Sequence, residues 1–245
     1  MPVDPLPLPS KSQLKNAGDR IRRRFRGELV LDGYQAAEDE RLVETWRVAH
    51  TSVLNKTRSS LASIVARALG RRSTAGLAMQ RLKRYESIVA KVIRDQTRLG
   101  EIEDVAGCRS VLPDLDAIER VHERLLAQAG KLELVRVRDY NEMPHSGGYR
   151  ALHLWCRRDG FKVEIQLRTA RQHDWAKLVE RLDKSRRLDL KHERGPDELL
   201  AFFRELANYH CQRDRGVTHS ELDVSGLHAA GMAAEAWLAR RPEHA

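Results

Sequence analysis

The chain has 245 residues, which suits one core-forming catalytic domain with added helical segments. Its 44 Lys and Arg against 35 Asp and Glu give a net charge of +9, a balance that favours polyanionic partners such as nucleotides or RNA without choosing between them. Three scattered cysteines, Cys108, Cys156 and Cys211, exclude a CxxC-type zinc site and a disulfide framework, and no run of about 18 apolar residues or basic-then-apolar leader occurs, so a soluble, unsecreted protein of the reducing cytoplasm with no membrane partner is expected.

Taken in chain order, Pro2, Pro5, Pro7 and Pro9 predict an extended start to about residue 10, and Ser10-Lys-Ser-Gln-Leu14 offers a helix start ahead of Leu14, Ile21 and Phe25. This stretch reads as an appendage to the core. The densest basic runs, Arg22–Arg24 and Arg71-Arg72, read as solvated helix ends. From Ala36 to about Leu69, Leu42, Val43, Trp46, Ala49, Val53 and Leu54 recur at three- and four-residue steps and predict one or two amphipathic helices. Ser73–Gly76 breaks that pattern, after which Leu82, Tyr85, Val89 and Val92 form a second stripe with Arg81, Arg84 and Lys91 off it.

The middle of the chain turns strand-like at Gly107–Leu112, Leu132–Arg138, Arg150–Arg157 and Phe161–Leu167, with a helix over Leu115–Ala129 between the first two. From Arg171 onward the pattern is helical again, through Trp175, Leu178, Val179 and Leu182, then Leu199–Tyr209, then Leu227–Leu238, with Gly195-Pro196 and Gly216 as breaks. The expected architecture is α+β, a small mixed sheet flanked by N- and C-terminal helices. The expected division is an N-terminal extension over 1–35, a catalytic domain over 36–185 and a C-terminal helical segment over 186–245.

Asp159-Gly160 between two alternating runs is a two-residue hairpin signal, and it fixes a register. Counting outward pairs Arg158 with Phe161, Cys156 with Val163, Trp155 with Glu164, Leu154 with Ile165, His153 with Gln166 and Leu152 with Leu167. Alternation then places His153, Trp155, Glu164 and Gln166 on one face, either a wet sheet surface or the floor of a cleft, and the aliphatic residues on the other. The turn Met143–Gly148 carries paired glycines that permit close backbone approach to a ligand, and Tyr149 after it begins the strand and either stacks on a base or packs inward. Asp104, ahead of Ala106-Gly107, either caps a turn or joins Glu164 in holding Mg²⁺. Arg109 either pairs with Asp104, lies against a purine or is surface.

These pieces, in this order, resemble the synthetase domain of RelA/SpoT-type alarmone synthetases, especially the small single-domain members, over roughly residues 77–182. The motifs are Arg81-Leu-Lys83-Arg84 with Lys91, Asp104-Val-Ala-Gly-Cys-Arg109, Asp139-Tyr140-Asn141 with Pro144–His153, and Val163–Thr169. The resemblance implies a nucleotidyltransferase-like fold and transfer of pyrophosphate from ATP to a ribose 3′-hydroxyl, usually of GDP or GTP, in a guanosine tetraphosphate pathway of the stringent response. It further implies that Asp104 and Glu164 hold Mg²⁺, that Arg81 and Arg109 sandwich the adenine of ATP, and that Lys83 and Lys91, set on a helix, meet its phosphates. Tyr149 would stack on the acceptor base, with His153 and Gln166 beside it.

Two positions depart from the family pattern. Its Lys and Asn in the turn before the tyrosine are His145 and Gly147 here, so a different recognition of the acceptor's phosphates is expected. The residues upstream of the motifs lack an H-D pair, so alarmone hydrolysis is not expected. Other readings stay open at this point: a toxin-type relative that pyrophosphorylates the 3′ end of tRNA, with an antitoxin partner; a non-enzymatic domain that binds RNA or a protein; and flanking helices that mediate a homo-oligomer or cover the active site as a neutralising segment.

Overall fold

The structure, a computed structural model, describes residues 7–30, 32–70, 78–127 and 132–240. Pro2, Pro5, the Arg71-Arg72 pair, the Ser73–Gly76 break and the end of the helix expected to reach Ala129 lie outside the described residues. The elements in order are α1 (Lys11–Phe25), α2 (Gly33–Leu69), β1 (Ala78–Leu82), α3 (Tyr85–Arg94), β2 (Ala106–Leu112), α4 (Leu115–Leu126), β3 (Glu133–Asp139), β4 (Leu152–Arg158), β5 (Phe161–Thr169), α5 (Ala170–Arg186), α6 (Asp197–Asp214) and α7 (Ser225–Ala239). The five strands form one mixed sheet in the order β1-β2-β5-β4-β3, with β2 and β5 parallel and the other neighbours antiparallel, the expected α+β arrangement.

The hairpin has the register that its turn dictates. Asp159 and Gly160 both adopt left-handed backbone, φ +49° and +81°, which matches the twist of the flanking strands, and all six expected pairs form. One face of the sheet is accordingly apolar. Leu152, Leu154, Cys156, Val163, Ile165 and Leu167 pack there against Val53, Leu61, Ile64 and Val65 of α2 and Ile118 and Val121 of α4. Truncating a residue such as Leu154, which has no exposed surface, would cost about 2–5 kcal/mol.

Where one or two helices were expected there is one. α2 runs 37 residues because no proline, and no glycine after Gly33, interrupts it before Gly70. Its N-terminal half forms a second core with α1 and α3, built from Leu14, Ala17, Ile21, Val43, Trp46, Ile88 and Val92. The Ser10–Gln13 capping box starts α1, and Arg20 of α1 donates Nε and Nη2 to Asp39 of α2, which is 2% exposed. Helix α1 is therefore built into the body of the molecule rather than appended to it. Its apolar face, at three- and four-residue spacing, is what the second core buries.

Two further expectations are corrected. Arg81 and Lys83 do not ride on a helix: Arg81 lies on β1 opposite Gly107, and the Lys83 N–H donates to Val105 O at 2.8 Å, extending the ladder before α3 begins. Tyr149 and Arg150 precede β4, which starts at Leu152. The C-terminal helices form a third core, with Trp175 and Val179 of α5 against Leu199, Phe203 and Ala207 of α6 and Trp237 of α7. Among the described residues no helix is long and apolar enough to cross a membrane.

Candidate active site

The sheet face opposite the aliphatic core carries the polar side chains of β4 and β5, and period-two alternation sends Glu164, Gln166 and Arg168 to the same side. A hydrogen-bonded chain crosses this face. Arg168 Nη2 donates to Tyr149 Oη at 2.7 Å, Tyr149 Oη lies 2.7 Å from His153 Nε2, and His153 Nδ1 lies 2.9 Å from Glu164 Oε1. An ionised Glu164 only accepts, so it fixes the proton of a neutral imidazole on Nδ1 and leaves Nε2 to accept from the Tyr149 hydroxyl. Burial is the largest influence on Glu164 and opposes its charge. His153 and Gln166, whose Nε2 donates to Oε2 at 2.7 Å, outweigh it and hold the carboxyl below its usual range. Burial likewise pushes the Tyr149 phenol up to about 12.

Asp104 stands just ahead of β2 and does not pair with Arg109. Its two oxygens accept from Lys83 Nζ at 2.7 Å and Lys91 Nζ at 2.9 Å. Burial again opposes the charge most strongly, and the two ammonium groups together hold the carboxyl below its usual range. Arg109 is half-buried with its Nε enclosed and unpartnered, and burial followed by the nearby Arg168 charge lowers its pKa. Arg168 is only 6% exposed, and its Nε and Nη1 are buried without a hydrogen-bond partner. Buried cationic donors left open are costly, and they mark the place where an anionic ligand would complete them.

Two adjoining cavities of about 200 and 230 Å³ share this floor. The first is walled by Met79, Gln80, Arg81, Lys83 and Arg109, the second by Tyr140, His145, Tyr149, His153, Trp175, Leu190 and Glu193. Asp104, Glu164, Gln166, Arg168, Glu180 and Lys191 line both. The sequence-derived candidates thus converge: Arg81, Lys83 and Arg109 on one side, Tyr149 and His153 on the other, Asp104, Glu164 and Gln166 between. Lys91 lines neither cavity and reaches the site through Asp104.

Several lining residues were not picked out from the sequence. Arg168 could have been, since it follows Glu164 and Gln166 at the strand period. Glu180, Lys191 and Glu193 carry no such signal. The last two sit on the hook between α5 and α6, residues 187–194, whose ends are left-handed at Arg187 (φ +53°) and Glu193 (φ +59°). Asp183 shapes the hook by accepting from the N–H groups of Leu190 (2.7 Å) and Lys191 (3.2 Å), and Asp189 and Arg194 pair across its base. Glu193 then clasps the glycine-bearing turn, with Oε1 accepting from the Ser146 hydroxyl and from the Gly147 N–H at 3.0 Å.

Residues 80–182 match the family model described as the region found in RelA / SpoT proteins. Among curated proteins, the chain is 34% identical over 116 residues to GTP pyrophosphokinase YwaC of Bacillus subtilis (strain 168), covering 42% of this chain and 55% of that one. It is 32% identical over 129 residues to the uncharacterized protein Rv1366 of Mycobacterium tuberculosis (strain ATCC 25618 / H37Rv), covering 51% and 46%. The chain spans about half the length of the curated relatives it matches. Among solved structures, small alarmone synthetase 2 from Bacillus subtilis superposes with a TM-score of 0.62 at 26% identity, over 71% of this chain and 94% of that one. Small alarmone synthetase 1 from the same organism, solved with its product pppGpp, shares the fold at a TM-score of 0.60 and 23% identity, over 71% and 94%. Residues 80–182 therefore carry the region found in RelA / SpoT proteins, within a chain that shares the fold of the small alarmone synthetases.

Proposed function

We propose that the chain transfers the β,γ-pyrophosphate of ATP to the 3′-hydroxyl of GDP or GTP, releasing AMP. One observation carries this reading: a cation-walled cavity and an aromatic-walled cavity meet over the same two carboxylates, Asp104 and Glu164. A donor polyphosphate suits the first and an acceptor nucleoside the second. The curated relative named as a GTP pyrophosphokinase and the small alarmone synthetases among the structural matches support it.

In this reading Arg81 and Arg109 flank the adenine, Lys83 and Lys91 turn from Asp104 to the phosphates, and Tyr149 stacks on the acceptor base beside His153 and Gln166. The 3′-oxygen attacks the β-phosphorus, the new O–Pβ bond forms, and the bridge to the α-phosphate breaks with its electron pair leaving on AMP. The hydroxyl proton ends in water. Glu164, held ionised and oriented by His153, accepts the hydrogen bond of that hydroxyl and aligns its lone pair.

The carboxylate pair fits a hard divalent cation such as Mg²⁺. Asp104 and Glu164 face each other closely enough that the charge of Asp104 raises the Glu164 pKa, a repulsion that a shared cation would relieve. Among the described residues no cluster of three or more His, Cys, Asp or Glu side chains forms a complete protein cage, so phosphate oxygens and water would supply the remaining ligands. When bound, the ion would neutralise charge developing on the phosphoryl oxygens.

The test is purified protein with Mg²⁺, ATP and either GDP or GTP, followed by product chromatography. AMP and a 3′-pyrophosphorylated guanosine nucleotide are expected, and both should vanish in Asp104→Ala and Glu164→Ala. Undiminished product in both variants would remove the carboxylate assignment. Deacylated tRNA as the sole acceptor is the companion reaction, and a labelled tRNA with no labelled nucleotide would transfer the acceptor role to RNA.

A further inference from the structure

Two cations line both cavities, Arg168 and Lys191, and they differ in origin. Arg168 belongs to β5 and to the family-matched segment. Lys191 comes from the hook between α5 and α6, beyond residue 182, where that segment ends.

The first cavity sets five cations, Arg81, Lys83, Arg109, Arg168 and Lys191, against three carboxylates, Asp104, Glu164 and Glu180. Asp104 is already occupied by Lys83 and Lys91, and Glu164 by His153 and Gln166. The cations without a carboxylate partner among the described residues are then Arg81, Arg109, Arg168 and Lys191, and of these only Arg168 and Lys191 line both cavities. Arg168 is nine-tenths buried with two nitrogens open, and the Lys191 ammonium makes no ion pair among the described residues. The bland reading of Lys191 is a solvated loop lysine, since the residue as a whole is exposed at the cavity mouth. Two facts oppose it. The hook is pinned, by Asp183 beneath it and by the Glu193 clasp on the glycine-bearing turn, so Lys191 is held over the junction. Protein atoms crowd the ammonium end and lower its pKa most, Glu180 pulls the other way, and the neighbouring Lys83, Arg81 and Arg168 charges lower it further.

We infer that Lys191 contacts the diphosphate group in transit between the two cavities, so that a residue outside the RelA/SpoT segment completes the charge set with Arg168. The inference rests on the pyrophosphate-transfer reading and deepens it. The donor triphosphate enters from the first cavity, the accepting hydroxyl from the second, and the group that changes hands must pass the residues common to both. Charge delivered there stabilises the transition state more than either bound substrate, so its loss appears chiefly in kcat.

The test compares the full chain with Lys191→Met and Lys191→Arg. In the AMP-release assay Lys191→Met should lower kcat by about 10²-fold while the KM values for ATP and acceptor stay within a few-fold, and Lys191→Arg should recover a substantial part of the loss. Inorganic tripolyphosphate, titrated calorimetrically without nucleotide, should bind Lys191→Met about tenfold more weakly than the wild type, with the melting temperature unchanged. An active wild type together with a Lys191→Met variant of equal kcat and equal tripolyphosphate affinity overturns the inference. A wild type that releases no AMP with any acceptor, yet binds tripolyphosphate in a Lys191-dependent way, overturns the pyrophosphate-transfer reading while leaving the phosphate contact standing.

Discussion

His153 and Glu164 are diagonal neighbours across the β4–β5 hairpin, joined at 2.9 Å although the ladder pairs His153 with Gln166 and Glu164 with Trp155. The diagonal matters because burial alone would raise the Glu164 pKa, and His153 is the first influence that reverses it. In His153→Ala the acid limb of the kcat/KM profile should therefore move to higher pH. The stability sign follows. A depressed carboxyl pKa contributes stability that is present above the unfolded value of about 4.3 and lost as pH falls through the lower folded value. Without His153 the folded value rises, and an acid titration of unfolding should show the variant losing its Glu164 contribution at neutral pH. Superimposable profiles for variant and wild type would deny the coupling.

Lys83 and Lys91 occupy the oxygens of Asp104 that a metal would use. Metal binding to the nucleotide-free protein must displace them, so Mn²⁺ affinity measured by paramagnetic resonance should be weak and should tighten when ATP draws the lysines away. Lys91→Met should bind Mn²⁺ without nucleotide about tenfold more tightly, a change of about 1.4 kcal/mol, while turning over more slowly. Equal Mn²⁺ affinity in variant and wild type would show that the ammonium groups do not compete with the ion.

Gly148 and Gly160 both have left-handed backbone, φ +94° and +81°, but only one is enclosed. A Cβ on Gly160 meets nothing within 4 Å, whereas one on Gly148 would lie 2.6 Å from Ala207 Cβ and 3.3 Å from Phe203 O on α6. Gly160→Ala should cost about 1–2 kcal/mol of backbone strain, and Gly148→Ala about 1–3 kcal/mol more through the added clash with packed helix atoms. Chemical denaturation of the two variants gives the comparison, and equal losses would mean that α6 yields freely.

Glu193 holds the glycine-bearing turn through Ser146 and Gly147 without being buried itself. Glu193→Ala should leave stability within about 0.5 kcal/mol, as for an exposed position, yet loosen the turn beside Tyr149. The expected kinetic effect is a rise of about three- to tenfold in the acceptor KM with the ATP KM unchanged. A Glu193→Ala variant with the wild-type acceptor KM would show that the clasp does not shape that cavity.

The hairpin was legible because Asp-Gly specifies one turn type, and the register of six pairs follows from it without further information. The long helix was legible through its period, though not its continuity. Strand β1 was not legible: Ala78-Met-Gln-Arg-Leu82 lies at the sheet edge with its middle exposed, so no alternation betrays it, and a neighbouring helical stripe absorbed Arg81 and Lys83. The packing of α1 was missed for a related reason, since a basic amphipathic helix reads alike whether its apolar face is covered or bare. In the site, residues on strands could be counted into place, while Lys191 and Glu193 depend on a hook closed by Asp183 and by two left-handed residues, an arrangement with no periodic trace.

Helix α2 is a wall common to two cores, with Val43 and Trp46 in one and Leu61 and Ile64 in the other. Lys91 on α3 is anchored in the first and Glu164 on β5 in the second, and the same rod fixes the span between them. Softening either end of that rod should therefore be felt at the other, and amide exchange along α2 should report a single opening event rather than two.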